Sequence, residues 1–178
     1  MSDRILELRT ENQRLKQQIQ SLENKVLSLV GMVKFESSGG QERKNVLNEH
    51  LLELIGNTKT QLNIVTTKID KFYATELKRL TQNGVAVLII MNDRGNIPKA
   101  YQAIYDELKL TPGIKIINNP KVRYLLVFNS EEAIYSGGSL DKDELENSIL
   151  IVSIIKEASK LRKIAEIFSL MLPSFMRN

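Results

Sequence analysis

Ile5, Leu8, Asn12, Leu15, Ile19, Leu22, Val26, Leu29 and Val33 recur at alternating intervals of three and four residues. That rhythm is the a/d seam of a heptad repeat, held for four heptads. Leu fills every d position, and every a position is β-branched except Asn12. In parallel coils, β-branched a with Leu d favours two strands. One Asn at an a position bonds to its twin across the seam and fixes register, at a cost in stability. The pattern therefore predicts a parallel, dimeric coiled coil over residues 1–36. At 1.5 Å per residue the rod would be about 40 Å long. Glu11 at g would attract Lys16 at e of the partner, whereas Arg4 would repel Arg9. Polar residues fill the rest of the helix, so it cannot bury itself alone. The other reading is one amphipathic helix folded back on its own chain, which calls for a wider apolar face. Ser37-Ser38-Gly39-Gly40 is small and polar and reads as the hinge of a linker over 37–41.

From residue 42 onward the pattern changes to short alternating elements. Val46, Leu47, Leu51, Leu54 and Ile55 give a helix over Arg43–Ile55, closed by Gly56. Leu62–Thr66 is a strand candidate, and Asp70–Gln82 is a helix stopped by Asn83-Gly84. Val85–Met91 is continuously apolar and too short for a lone helix, so it reads as a strand buried on both faces. Pro98–Leu110 is a helix with Pro at its first position. Ile114–Ile117, Arg123–Phe128, Glu132–Tyr135 and Ser148–Ile155 read as strands, and Lys156–Met171 as a closing helix. The order predicts an α/β domain over 42–178, a mixed sheet flanked by helices. The apolar tail Leu170–Met176 is expected to pack as core or dimer interface.

Composition narrows the chemistry. Of 178 residues, 42% are hydrophobic and 26% charged, which fits a folded chain. Cysteine is absent, which excludes disulfides, zinc–thiolate sites and a cysteine nucleophile. His50 is the one histidine, so a site needing two imidazoles from one chain cannot be built. No metal and no cofactor are expected. No apolar run reaches transmembrane length and the first residues are polar, so cytoplasmic residence is the expectation. The net charge of +4 is too small to require a nucleic-acid partner.

No glycine-rich nucleotide loop occurs. The informative stretch is Lys121-Val-Arg123-Tyr-Leu-Leu-Val-Phe128-Asn129, then Ala133-Ile-Tyr-Ser-Gly137-Gly138-Ser139-Leu140, then Glu146-Asn147-Ser148-Ile149. Its order resembles the C-terminal half of the phospholipase D superfamily domain. There, H-x-K-x-x-x-x-D on a strand precedes a turn, a second strand, a Gly-Ser turn and an Asn. The resemblance implies that fold for about residues 42 to 175. It also puts Lys121 where the family has its nucleophilic histidine, Arg123 at the motif lysine and Phe128 at the motif aspartate. A lysine is protonated near neutral pH in an exposed setting and is a poor nucleophile. The sequence expectation is therefore a domain similar to the effector-binding part of archaeal TrmB-type regulators, and not an enzyme.

The resemblance places Ser139 and Asn147 at positions that hydrogen-bond phosphate oxygens. With Lys121 and Arg123 on one strand face, they are candidates for an anion site. The alternative is that the two cations are ordinary surface charges. Lys156, Lys160, Arg162 and Lys163 recur at helical spacing and form a candidate basic surface, or simply a solvated helix face. Two functional classes follow. One is a homodimeric, non-catalytic binding and regulatory module for an anionic ligand or protein, with transcription regulation as the expected setting. The other is a protein that binds nucleic acid or a membrane surface through the basic helix. An active phosphodiesterase is the least favoured reading.

Overall fold

The computed structural model describes residues 2–177. Helix α1 (Ser2–Val30) turns through Gly31 and Met32 into β1 (Val33–Ser38). There follow α2 (Val46–Asn57), β2 (Gln61–Thr66), α3 (Lys71–Gln82) and β3 (Ala86–Met91). Next come α4 (Lys99–Leu110), β4 (Ile114–Asn118), β5 (Leu125–Phe128) and β6 (Ala133–Ser136). The chain closes with α5 (Lys142–Glu146), β7 (Leu150–Ile155) and α6 (Ala158–Leu170).

The strands form one seven-stranded mixed sheet in the order β1-β7-β6-β5-β2-β3-β4. β2, β3 and β4 run parallel, and β5, β6, β7 and β1 continue from β2 as antiparallel neighbours. The parallel half needs crossover helices, which α3 and α4 supply; the antiparallel half needs only turns. The expected α/β fold, a mixed sheet flanked by helices, is the fold observed.

Strand alternation sorts side chains to two faces. On one face Leu62, Ile64, Val87, Ile89, Leu125, Val127, Ile134 and Val152 meet Leu47, Leu51 and Leu54 of α2, Leu77 of α3 and Leu108 of α4. On the other, Val65, Ile90, Leu126, Phe128 and Ala133 meet Leu161 and Phe168 of α6. The rings of Phe128 and Phe168 cross edge to face, with centroids 5.1 Å apart. The C-terminal tail joins this second core only in part: Leu172 is buried, whereas Phe175 is 85% exposed.

Two boundaries differ from the sequence reading. Val33, expected at the end of the coiled-coil seam, begins β1 instead and pairs with Ile155. Ser37 and Ser38, expected in a hinge, pair with Ile151 and Leu150. The Ser38 hydroxyl is buried and accepts from Leu47 N–H at 2.9 Å, satisfying a free donor at the start of α2. Gly39, at φ +99°, passes so close to β7's entry that a Cβ there would fall 1.8 Å from Ser148 O. Ser38 and Gly39 thus form a tightly fitted corner, while Gly40 stands open to solvent.

Helix α1 contrasts with all this. Every residue from Glu7 to Val26 is exposed. Along the predicted seam Leu8, Leu15, Ile19, Leu22, Val26 and Leu29 are between 46% and 62% exposed. Asn12 is exposed on the same stripe, and the Ile5 side chain lies outside the described residues. Glu11 pairs with Arg14 one turn on, at 2.9 Å. No described helix is long and apolar enough to cross a membrane.

Candidate functional site

The carboxyl end of β2, the strand at which the sheet passes from parallel to antiparallel, gathers polar side chains from three separate parts of the chain. Lys68 comes from the loop after β2, Tyr101 from α4, and Ser139, Asp141 and Glu144 from the segment that leads into and forms α5. Lys68 Nζ donates to Asp141 Oδ2 at 3.1 Å, to Glu144 Oε2 at 2.5 Å and to Tyr101 Oη at 3.3 Å. The Tyr101 hydroxyl donates to the same Asp141 oxygen. Lys68 Nζ also lies 4.4 Å from the centre of the Tyr101 ring, a cation–π distance.

Backbone geometry holds these groups in place. Asp141 is the N-cap of α5, accepting from Glu144 N–H at 3.1 Å. Asp70, the N-cap of α3, accepts from Tyr73 N–H and from Lys142 N–H, both at 2.8 Å, and so ties α3 to α5. Thr66 Oγ1 accepts from Leu140 N–H at 2.8 Å and donates to Lys68 O at 2.9 Å. Beneath them the buried Tyr73 hydroxyl donates to Asn48 Oδ1 at 2.6 Å, and Asn48 Nδ2 donates to Lys142 O at 3.1 Å.

The electrostatics follow from these contacts. Burial alone would pull the Lys68 ammonium toward deprotonation, but Glu144, Asp141 and Tyr101 outweigh it and raise its pKa. Burial pushes the Asp141 carboxyl up, and the bonds from Tyr101, Glu144 N–H and Lys68 bring it net below the usual carboxylate value. The Asp70 carboxyl, by contrast, is raised by burial despite its two N–H donors. The Tyr101 hydroxyl is raised first by its bond to Asp141 and then by burial. Lys68 is thus a fixed cation held by two carboxylates. In this state it serves as an electrostatic clamp between β2, α4 and α5, with no free amine to act as a base.

Ser139 is buried at the same place. Its N–H donates to Glu144 Oε1 at 3.0 Å and its hydroxyl to Glu144 Oε2 at 2.8 Å. Ser139, one of the two residues that the family resemblance assigns to phosphate, therefore holds an internal carboxylate instead. Asn147 lies elsewhere, exposed after α5, its amide donating to Asp143 O at 2.8 Å. Lys121 and Arg123 do not share a strand face, because β5 begins only at Leu125. Lys121 sits in a turn closed by Asn119 Oδ1, which accepts its N–H at 3.0 Å. The Arg123 guanidinium turns back onto Pro120 O and Val122 O, at 2.8 and 2.7 Å. Both are exposed, at the end of the sheet where Leu125 pairs with Ser136. The four candidates are near in topology, but no contact joins the two cations to Ser139 or Asn147 among the described residues.

On α6 and its approach, Lys156 meets Glu132 at 3.6 Å, Lys160 meets Glu157 at 2.5 Å and Lys163 meets Glu166 at 2.9 Å. Arg162 has no ion pair among the described residues. It lines a cleft of about 250 Å³ with Phe128, Asn129, Ser130, Ala158, Leu161 and Ala165. The lone His50 lies on α2 and bonds Glu36 of β1 at 3.1 Å. This pair, with Arg43 nearby, draws the Glu36 carboxyl below its ordinary pKa.

No protein-family model matches the chain, and no curated protein does. Solved structures do. NucT from Helicobacter pylori is similar with a TM-score of 0.67 at 14% identity, over 78% of this chain and 95% of that one. Nuc from Salmonella typhimurium, a phospholipase D family member, gives 0.64 at 15% identity, over 76% and 91%. TrmBL2, an archaeal chromatin protein with a novel mode of DNA binding, gives 0.57 at 11% identity, over 90% of this chain and 64% of that one. The likeness establishes a phospholipase D-like fold.

The comparisons correct one expectation. A polyphosphate kinase from Porphyromonas gingivalis and a phosphatidylserine synthase from Haemophilus influenzae are similar too, with TM-scores of 0.59 and 0.57. At 11% and 16% identity, they match 26% and 38% of those chains. The fold is thus one that enzymes use, and the reading of the chain as not an enzyme is overturned.

Proposed function

We propose that the chain is a two-copy binding and regulatory module, in which α1 joins two phospholipase D-like domains as a parallel coiled coil. The observation that carries this reading is the bare stripe of α1. Six apolar side chains of the seam are about half exposed or more, on a helix whose residues from Glu7 to Val26 cover nothing in their own chain. Burying one such side chain is worth about 1.5–3 kcal/mol, so the stripe provides a strong drive to find a partner. Leu at d, β-branched a and Asn12 make that partner a second copy in register. The similarity to TrmBL2 supports the reading, because 90% coverage is more than residues 33–178 alone can fill, so the match extends into α1. Two linked domains present any surface twice and raise the affinity for a repeated or extended ligand.

The test is sedimentation of the full chain beside a Leu15→Asp/Leu22→Asp chain. The native chain is expected at the mass of two copies and the variant at one, with the globular domain still folded. A native chain of single-copy mass overturns the reading.

DNA is the ligand class with specific support, since TrmBL2 binds DNA and shares the fold. Here the contact surface would be Lys156, Lys160, Arg162 and Lys163. Three of these already face carboxylates, so the surface is a modest one. Double-stranded DNA binding that weakens steeply with salt supports this extension. No binding at low salt removes it and leaves the two-copy module standing.

A further inference from the structure

The antiparallel half of the sheet is unevenly covered. Helix α6 packs over β5, β2 and the start of β6, where Leu126, Phe128, Val65 and Ala133 meet Leu161 and Phe168, with Ile155 at the end of β7 against them. Beyond Ala133 and Ile155 the same face of β6, β7 and β1 is exposed at Tyr135, Ile151 and Phe35. Register sets the side chains there in rows: Phe35, Ser153 and Tyr135 share one row, and Ser37 and Ile151 share the next. Phe35 and Ile151 are each 73% exposed and Tyr135 is 47% exposed. Tyr135 also touches the Tyr124 ring, with centroids 5.7 Å apart. Large and small side chains alternate in both directions, so each bulge has a hollow beside it.

We infer that this face packs against the same face of a second copy, as a second interface within the coiled-coil pair. The inference rests on the self-association proposed above and adds where the domains meet. Three features point to a second copy. First, only Gly31 and Met32 separate α1 from β1. Two residues reach at most about 7 Å, and paired helix axes lie about 8–10 Å apart. A parallel coil therefore brings both β1 edges beside its axis. Second, the alternation of Phe35, Ser153 and Tyr135 with Ser37 and Ile151 is self-complementary, as a two-fold interface requires. Third, the area is right for a tethered contact. Phe35, Ile151 and Tyr135 together expose roughly 400 Å², about half of what one side of a standard stable interface buries. Such a patch is too small to hold two free domains together. It suffices once a short tether fixes their local concentration in the millimolar range.

The chain has no cysteine, so one introduced thiol reports position cleanly. Ser153→Cys, in the middle of the patch, changes volume little. Leu110→Cys, at the exposed end of α4, is the control. Each full-length chain is treated with a short bismaleimide at low micromolar concentration, and its mass is measured without the reagent. The inference predicts two-copy mass for both, with on the order of ten-fold more cross-linked pair for Ser153→Cys. Adding Phe35→Asp and Ile151→Asp should remove that excess while α1 keeps the mass at two copies. Two-copy mass with equal, weak cross-linking overturns the sheet-face contact and leaves the coil intact. Single-copy mass overturns both.

Discussion

Helix α1 and the sheet domain use apolar residues in opposite ways. In the domain, Leu51, Leu77, Leu108 and Val127 are fully buried, each enclosed by neighbours from other elements. In α1, leucines of the same size lie on a stripe with nothing against it. The domain core is enclosed within one chain, whereas under the two-copy proposal the stripe of α1 is covered by a partner. A long helix with a two-position stripe gains little from its own backbone and much from burying that stripe. Substitutions in the two regions should separate cleanly, one set acting on unfolding and the other on association.

The largest effect belongs to the domain core. Leu77→Ala should cost about 2–5 kcal/mol, because the removed atoms leave a cavity that packed neighbours fill only in part. Denaturant melts should show the loss, and sedimentation should show unchanged association. A mutant that instead shed its partner would break the separation.

Next comes the clamp. Lys68→Met leaves Asp141 and Glu144 facing each other with no cation between them. We expect a loss of about 1–3 kcal/mol, less than for a fully enclosed pair because the site reaches solvent. The double change Lys68→Met/Glu144→Gln should recover part of it, which a purely steric defect would not. The clamp also has a pH signature. The Asp141 carboxyl is lower in the folded chain than in the unfolded one, so its contribution is present above the unfolded value near 4 and is lost as pH falls through the folded value. The Lys68 ammonium is raised, so its contribution is lost only as pH climbs past its unfolded value near 10. Asp70 works the other way: its raised carboxyl weakens the fold as it ionises. Urea melts in the native chain should show a steeper acid loss than in Asp141→Asn.

A smaller change is Tyr73→Phe, which leaves the buried Asn48 Oδ1 without its donor. About 1–2 kcal/mol should be lost, readable in the same melts. Least of all, Lys163→Ala removes an exposed pair with Glu166 and should shift stability by under about 0.5 kcal/mol.

How far the sequence foretold this structure depended on how local each signal was. The apolar run Val85–Met91 is β3 to within a residue, and Pro98–Leu110 is α4 with Pro98 as its cap. Both were legible because an unbroken apolar run and a proline at a helix start act over a few residues. Strand β1 was hidden because Val33 fits a heptad position as well as it fits a strand. The alternation of Val33 and Phe35 with Lys34 and Glu36 is too short to outweigh four heptads. The five-residue α5 is shorter than any helical period can reveal. The clamp had no local signature at all: Lys68 stands 73 and 76 residues from Asp141 and Glu144. What could have flagged it is Asp141-x-x-Glu144, a capping pattern just after the Gly-Ser turn. The expected strand from Arg123 failed for a physical reason. Pro120 and the Asn119 side chain build a turn, and the Arg123 side chain closes back on it.

The claim that α1 exists to join two copies is tested most directly by one substitution, Leu8→Cys, at a d position of the seam. In a parallel two-stranded coil in register, the two thiols face each other across the helix interface. Mild oxidation of the full chain should then give nearly complete conversion to a disulfide-linked pair, twice 20.3 kDa and nothing larger. A chain that stays uncrosslinked under the same oxidation, while its domain remains folded, would contradict the account.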